Sequence, residues 1–376
     1  MKKILAVLFA AALLVAFTVP AMAKTYLGGI VFQEVNYYKN EVTNDEDPTG
    51  ADSDFDTIYW DLAVFSRFKA RLTNEDNVGL FVEFGLGGRT GFGNLTYLRH
   101  LYGWWDVNPQ FRILAGQTSL PISPLAPDTV VGHMAGGHVV GNGWGNYDQT
   151  RSPQIRFQWK LEDLGFVRLV FSDPHEMAAP AALGAAADND SKLPRIDLGV
   201  PLYFGPIKVY PSLFYHKQTF DDVASGQEDT FTAWGASLGV KFGFGPLMIA
   251  AEVNTGENWS YSRDSHGAVA PYYNGATGDL TDTDDLSYWI DVSFKLGKIT
   301  PHLIYGALKS EVDPSGTAND FERDRTMYGI TARIPLAKGF MLRPELMFYD
   351  WEDEIAGVDM DHGKETVAGV MFQIAF

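Results

Sequence analysis

Basic side chains recur at alternate positions in this chain, and the alternation indicates what they could do. Arg67, Lys69 and Arg71 sit two apart, and Arg156 and Lys160 sit four apart. In an extended strand such residues share one face, so each run gathers positive charge on one side. Arg112, Arg168, Arg195, Lys208, Lys241, Lys295, Arg333 and Arg343 also fall on polar faces, and Arg99 joins them. Fewer acids share those faces: Asp61, Glu83, Asp197, Glu252, Asp291 and Glu345. Guanidinium groups around a narrow aqueous space with low-dielectric walls bias it toward anions. The competing reading is that these charges pair with one another and only keep the wall wet.

Catalytic chemistry finds little support. There is no Gly-x-Ser-x-Gly elbow, no His-Glu-x-x-His and no phosphate loop. His133 and His138 fit neither a helix face nor a strand face, and two histidines fall short of a full metal shell. Asp52-Ser-Asp-Phe-Asp56 resembles part of a calcium loop but lacks its glycine and terminal glutamate. No cysteine is present, which excludes disulfides, thiolate metal sites and c-type haem attachment. No cofactor is expected. The net charge of −18 argues against nucleic acid as a partner.

The elements that must position the charged faces are β-strands. About sixteen segments alternate in polarity. In 286–296, Leu286, Tyr288, Ile290, Val292, Phe294 and Leu296 oppose Ser287, Trp289, Asp291, Ser293 and Lys295. In 57–73, Leu62, Val64, Phe68 and Leu72 oppose Asp61, Arg67, Lys69 and Arg71. The segments 26–39 and 95–107 alternate poorly. Three strands share a proline on the apolar side (Pro211, Pro301 and Pro344), and each is expected to mark a bulge or weak pairing. Connections switch strictly between long and short. Short ones include Gly205-Pro206, Gly245-Pro246 and Gly297-Lys298, and the longest spans 119–153. An antiparallel up-and-down barrel sorts its loops in this way, short turns on one rim and long loops on the other.

Both ends of the chain fit a membrane barrel. Lys2, Lys3, the apolar run Ile4 to Phe17 and Ala21-Met22-Ala23 form a secretory signal peptide over 1–23. No long apolar run follows, so any membrane span in 24–376 must be β. The last strand places Phe376, Ile374, Phe372, Val370 and Ala368 on one face. Such an edge would aggregate in water. It makes sense facing lipid and pairing with the first strand.

The signal peptide, the loop alternation, the strand count and the terminal phenylalanine together resemble Gram-negative outer-membrane porins of the sixteen-stranded diffusion type. The resemblance covers the whole mature chain and rests on no diagnostic motif. It implies an all-β transmembrane barrel in the outer membrane that passes small hydrophilic solutes or ions. A substrate-selective channel with a binding site in the lumen is the alternative. It further implies contact with outer-membrane lipid and lipopolysaccharide, delivery by the barrel-assembly machinery that reads Phe372, Ile374 and Phe376, and a homotrimer.

In porins of this type the third loop folds inward and narrows the pore. Here that loop is rich in glycine and apolar residues, and Asp128 and Asp148 are its only acids. It lacks the usual Pro-Glu-Phe-Gly-Gly run, so the carry-over is by position. A loop packed over the barrel mouth is the other reading. By strand number, Arg67, Arg99 and Arg156 match the constriction arginines of such porins. Arg112, Arg168 and Glu83 complete the expected lining. The other long loops are acidic, with Asp279, Asp282, Asp284 and Asp285 in one and Asp350, Glu352, Asp353 and Glu354 in another. They read as solvated rim charge.

Overall fold

The computed structural model describes residues 24–41, 55–63, 65–86, 97–129, 141–147, 151–173, 188–190, 193–222, 227–261, 267–274, 279–313 and 320–376. The strands form a closed wall. It runs β1 (Lys24–Glu41), β2 (Phe55–Leu62 and Arg67–Thr73), β3 (Val78–Gly85), β4 (Tyr97–Asn108), β5 (Phe111–Ser119), β6 (Arg151–Lys160), β7 (Phe166–Ser172) and β8 (Arg195–Gly199 and Leu202–Phe204). It continues with β9 (Ile207–Asp222), β10 (Gln227–Phe244), β11 (Leu247–Glu257), β12 (Thr283–Phe294), β13 (Thr300–Val312), β14 (Phe321–Ala337), β15 (Phe340–Ile355) and β16 (Val358–Ala375). Each strand pairs antiparallel with the next, and β16 returns to β1 with Val35 opposite Val370. The result is a closed sixteen-stranded antiparallel barrel. Closure leaves no unpaired edge, which is what a sheet in lipid requires.

The alternation decides which face is wet. On β12, Leu286, Tyr288 and Ile290 are exposed on the outside, whereas Ser287, Trp289 and Asp291 are buried within. The same outward apolar band carries Trp60, Leu80, Trp105, Trp159, Leu238, Leu303 and Ile330. An apolar outer belt over a polar interior inverts a soluble protein and suits a bilayer.

Three local departures explain where the pattern was hard to read. The expected single strand over 57–73 is interrupted. Five steps along β2, from Leu62 to Arg67, face three along β1, from Gln33 to Ile30. Two extra residues therefore bulge. Ser66 closes the gap by accepting a hydrogen bond from the Phe32 N–H at 2.9 Å, and Phe65 packs edge-on against Phe32. That packing puts Phe32 on the inner face beside Glu34 and Asn36, which is why β1 alternates poorly. On β4 a register shift falls opposite Glu83 and Phe84. It turns Arg99 and His100, adjacent in the chain, both toward Glu83.

The three prolines behave alike. Each keeps a continuous ladder on one side, Pro211 opposite Leu238, Pro301 opposite Ala332 and Pro344 opposite Val370. On the other side each adjoins missing pairs, between Gly199–Ser212 and Leu202–Val209, between Ser293–His302 and Leu296–Ile299, and between Thr331–Glu345 and Ile334–Leu342, which is the weak pairing expected of proline. Two other expectations are corrected. The apparent long loop near 352–364 is largely a hairpin extension: β15 and β16 pair up to Ile355 and Val358 across Ala356-Gly357. Asp285 and Asp353, expected as rim charge, are buried acceptors. Asp285 takes hydrogen bonds from Ser310 at 2.5 Å and from the Trp259 N–H at 2.9 Å. Asp353 takes two from Arg323, each at 2.9 Å.

The short turns demand a left-handed backbone. Gly205 and Gly245 have φ of 59° and 57°, and nothing lies within 4 Å of where a Cβ would stand. The backbone angle, not space, selects glycine there.

Candidate functional site

The interior is occupied unevenly. After β5 the chain runs along the inner faces of β8 and β10 to β15, and its apolar residues bury themselves there. Leu120, Ile122, Trp144 and Tyr147 are nearly inaccessible. Tyr147 stacks on Trp259 at 4.3 Å, and Trp144 meets Tyr349 edge-on at 5.0 Å. The glycines of this segment let its backbone approach the wall. A Cβ on Gly145 would stand 2.3 Å from the Tyr288 carbonyl oxygen of β12.

Polar anchors hold the segment in register. The Ser123 hydroxyl donates to Glu252 of β11 at 2.6 Å, and the Leu125 N–H donates to the same carboxylate at 2.9 Å. The Asp128 N–H donates to Asp291 of β12 at 3.0 Å. The Asp128 carboxylate accepts from Arg333 of β14 at 2.7 Å and lies 2.7 Å from the Arg343 guanidinium of β15. His302 of β13 fills the space between the two acids, with Nδ1 2.9 Å from Asp291 and Nε2 3.2 Å from Asp128. Burial works against ionisation of Asp128. Hydrogen bonding by Arg333 and the charges of Arg343, Arg333 and His302 outweigh it and hold the carboxyl below its ordinary range.

Wall and loop thus neutralise each other on this side. Arg333 and Arg343 face Asp128, while Glu252 and Asp291 are taken by loop N–H and O–H groups. Asp128 is therefore committed to β14 and β15. His133, His138 and Asp148 lie outside the described residues, as do Asp45, Glu46, Asp47, Asp52 and Asp54.

The inner face of β2 to β8 differs. Arg67 and Arg99 do not stand alone there. The Arg99 Nε lies 2.9 Å from Glu83, and the Arg67 guanidinium reaches the same oxygen at 3.9 Å. Arg112 is held by Asp106 through contacts of 2.5 and 2.9 Å. Arg195 is held by Asp197 at 2.9 Å. Arg156 sits apart from Arg67 and Arg99 in hydrogen bonding: it donates to Gln154 at 2.9 Å and to the Ser119 carbonyl. Arg168 donates to Gln158 at 3.1 Å.

Among the described residues, no carboxylate comes within ion-pair distance of Arg71, Arg156, Arg168, Lys69, Lys208 or Lys241. Several of these cations lie over aromatic rings instead. Arg71 lies over Trp104 at 4.7 Å, Arg168 over Phe166 at 5.6 Å, and Lys208 over Tyr203 at 5.9 Å. Four of these uncompensated cations, Lys69, Arg71, Arg156 and Arg168, are thus on the β2–β7 wall, with Lys208 on β9 and Lys241 on β10 besides. Of the expected trio only Arg156 is among them. Arg71 and its ring partners had a visible signal, the polar-face spacing Arg67–Arg71. The anchors Ser123 and His302 had none, because each matters only through a partner far away in the chain.

The ends of the wall also meet. The Phe376 N–H donates to Gly29 at 3.1 Å, and the Gly29 N–H donates back to the Phe376 carbonyl at 3.1 Å. Ile374 faces Val31 and Phe372 faces Gln33 in the β16–β1 ladder.

No family model and no curated protein sequence matches the chain. Solved structures do resemble it. The outer membrane channel DcaP of Acinetobacter baumannii is 18% identical, with 95% of this chain and 98% of that one covered and a TM-score of 0.70. An anion-selective porin from Comamonas acidovorans is 15% identical over 94% of this chain and 100% of that one, at a TM-score of 0.63. The trimer form of OmpT, an outer membrane protein of Vibrio cholerae, is 13% identical over 94% and 99%, at a TM-score of 0.56. At these identities the likeness is one of fold: the chain has the barrel fold of the porins.

Proposed function

We propose that this chain, with its porin fold as the premise, is an outer-membrane channel for passive diffusion of small hydrophilic solutes, with a preference for anions. Residues 1–23 serve as the cleaved export signal. The third loop, anchored through Asp128 and Glu252 to β11–β15, narrows the passage to the side lined by β2–β8. The observation that carries the reading is the arrangement of charge. Loop and far wall neutralise each other, while Arg71, Arg156 and Arg168 face the remaining space without carboxylate partners among the described residues. The acidic rim stands in open water, where screening acts over roughly 8 Å at physiological salt. In the narrower waist the field is focused and the near arginines prevail. The Vibrio barrel in its trimer form supports a homotrimer here, with lipid and lipopolysaccharide around it.

The measurement is the reversal potential of the purified barrel in a planar bilayer under a potassium chloride gradient. Wild type should favour chloride, and Arg71→Gln with Arg156→Gln should move the potential toward cation preference. A cation-selective wild type, or no shift in the double variant, would overturn the anion preference. A closed wild-type barrel would overturn the channel itself.

A further inference from the structure

One row of the inner wall combines an uncompensated cation with flat apolar surface. Arg71 of β2 faces Phe81 of β3 in the ladder, and Phe81 faces Tyr102 of β4. Tyr102 in turn faces Gly116 of β5. The row therefore reads cation, ring, phenol, glycine across four strands, each roughly 4.8 Å from the next.

Each part is held in place. Trp104, two residues beyond Tyr102, lies flat on Gly79, where a Cβ would stand 2.0 Å from the ring. Its face carries the Arg71 guanidinium at 4.7 Å and the Arg112 guanidinium at 5.4 Å. Arg112 already has Asp106. Among the described residues Arg71 has only the ring, and it is exposed to the lumen. Phe81 and Tyr102 are half-buried, with ring centroids 5.3 Å apart and planes tilted by 34°. The Tyr102 hydroxyl lies in the combined field of Arg156, Arg71 and Arg112, opposed by Glu83. Glu83 is itself engaged by Arg99 and Arg67.

We infer that Arg71, Phe81 and Tyr102 form a subsite in the lumen that binds small aromatic carboxylates, the benzoate class. Arg71 takes the carboxylate, since a guanidinium matches its two oxygens. The ring of the solute lies against Phe81 and Tyr102. Aliphatic carboxylates of the same charge gain the Arg71 contact without the stacking. The inference rests on the lumen being the solute path, and it narrows the solutes that path favours.

The test uses the full-length barrel in planar bilayers, with benzoate and acetate as the probes blocking chloride current. In wild type, benzoate should half-block at about fivefold lower concentration than acetate, the size of effect one aromatic pair supplies. Phe81→Leu should abolish that difference and leave the acetate block unchanged. Arg71→Gln should weaken the block by both. Heat-modifiable mobility shows that each variant is assembled. Equal block by the two anions in wild type would overturn the inference while leaving the channel reading intact. So would a benzoate preference that survives in Phe81→Leu. A wild type that conducts nothing would overturn the channel reading and the subsite with it.

Discussion

The Asp128 carboxylate lies 2.7 Å from the guanidinium of Arg343, 215 residues further along the chain. Arg343 also donates to the Asp128 carbonyl at 3.1 Å, so it grips both the charge and the backbone of the loop. With Arg333 and His302 it makes a latch between the third loop and the far wall. The latch has two consequences. It fixes the loop without a covalent bond, and it removes two arginines from the charge that a passing ion would feel.

Breaking the latch should be costly. Arg343 is 7% exposed at its side chain, so Asp128→Ala leaves a buried cation without its acid. Loss of one partner of a buried pair costs on the order of 3 kcal/mol. The temperature at which the folded barrel loses its heat-modifiable mobility should fall, and single-channel recordings should become noisier as the loop moves. Wild-type melting together with quiet current in Asp128→Ala would show that the latch holds nothing.

The pH range of the latch follows from Asp128. Its carboxyl is held below the ordinary value of 3.8 in the folded barrel. A depressed carboxyl contributes stability that is present above the unfolded value and lost as pH falls through the folded one. Conductance should therefore stay constant from pH 7 down to about pH 4 by this group's titration. It should change only below that, and the change should be absent in Asp128→Asn. A step near pH 6 that disappears with Asp128→Asn would contradict the assignment.

Deleting Phe376 should impair assembly more than synthesis. Its backbone makes two hydrogen bonds with Gly29 across the closing seam, each of 3.1 Å. Each is worth about 1 kcal/mol net in water and more at a seam where lipid offers no substitute. The deletion variant should reach normal total amounts with less heat-modifiable barrel in the outer membrane. Equal amounts of folded barrel from both chains would refute this.

Much of the architecture was written locally. The period-two pattern of Leu286 to Phe294 put each residue on its side of the wall, because strand geometry alone sets that alternation. Gly205 and Gly245 marked short turns because only glycine adopts their backbone angle freely. Sixteen strands and the closing last strand were legible for the same reason: each is a property of a dozen neighbouring residues. Where two extra residues bulge in β2, or two successive side chains turn inward at Arg99 and His100, the local pattern fails, because pairing with another strand absorbs the irregularity.

The charge pattern of the lumen was a tertiary matter. Arg67, Arg99 and Arg156 looked alike in sequence, each a cation on a polar face. Folding gives Arg67 and Arg99 a shared acid in Glu83 and leaves Arg156 with amide and carbonyl partners. Arg71 looked no different from Arg333, yet one lies over Trp104 and the other grips Asp128. A charge in a confined space acts only through what remains after its neighbours are counted. In this barrel those neighbours arrive from other strands and from a loop that crosses the interior.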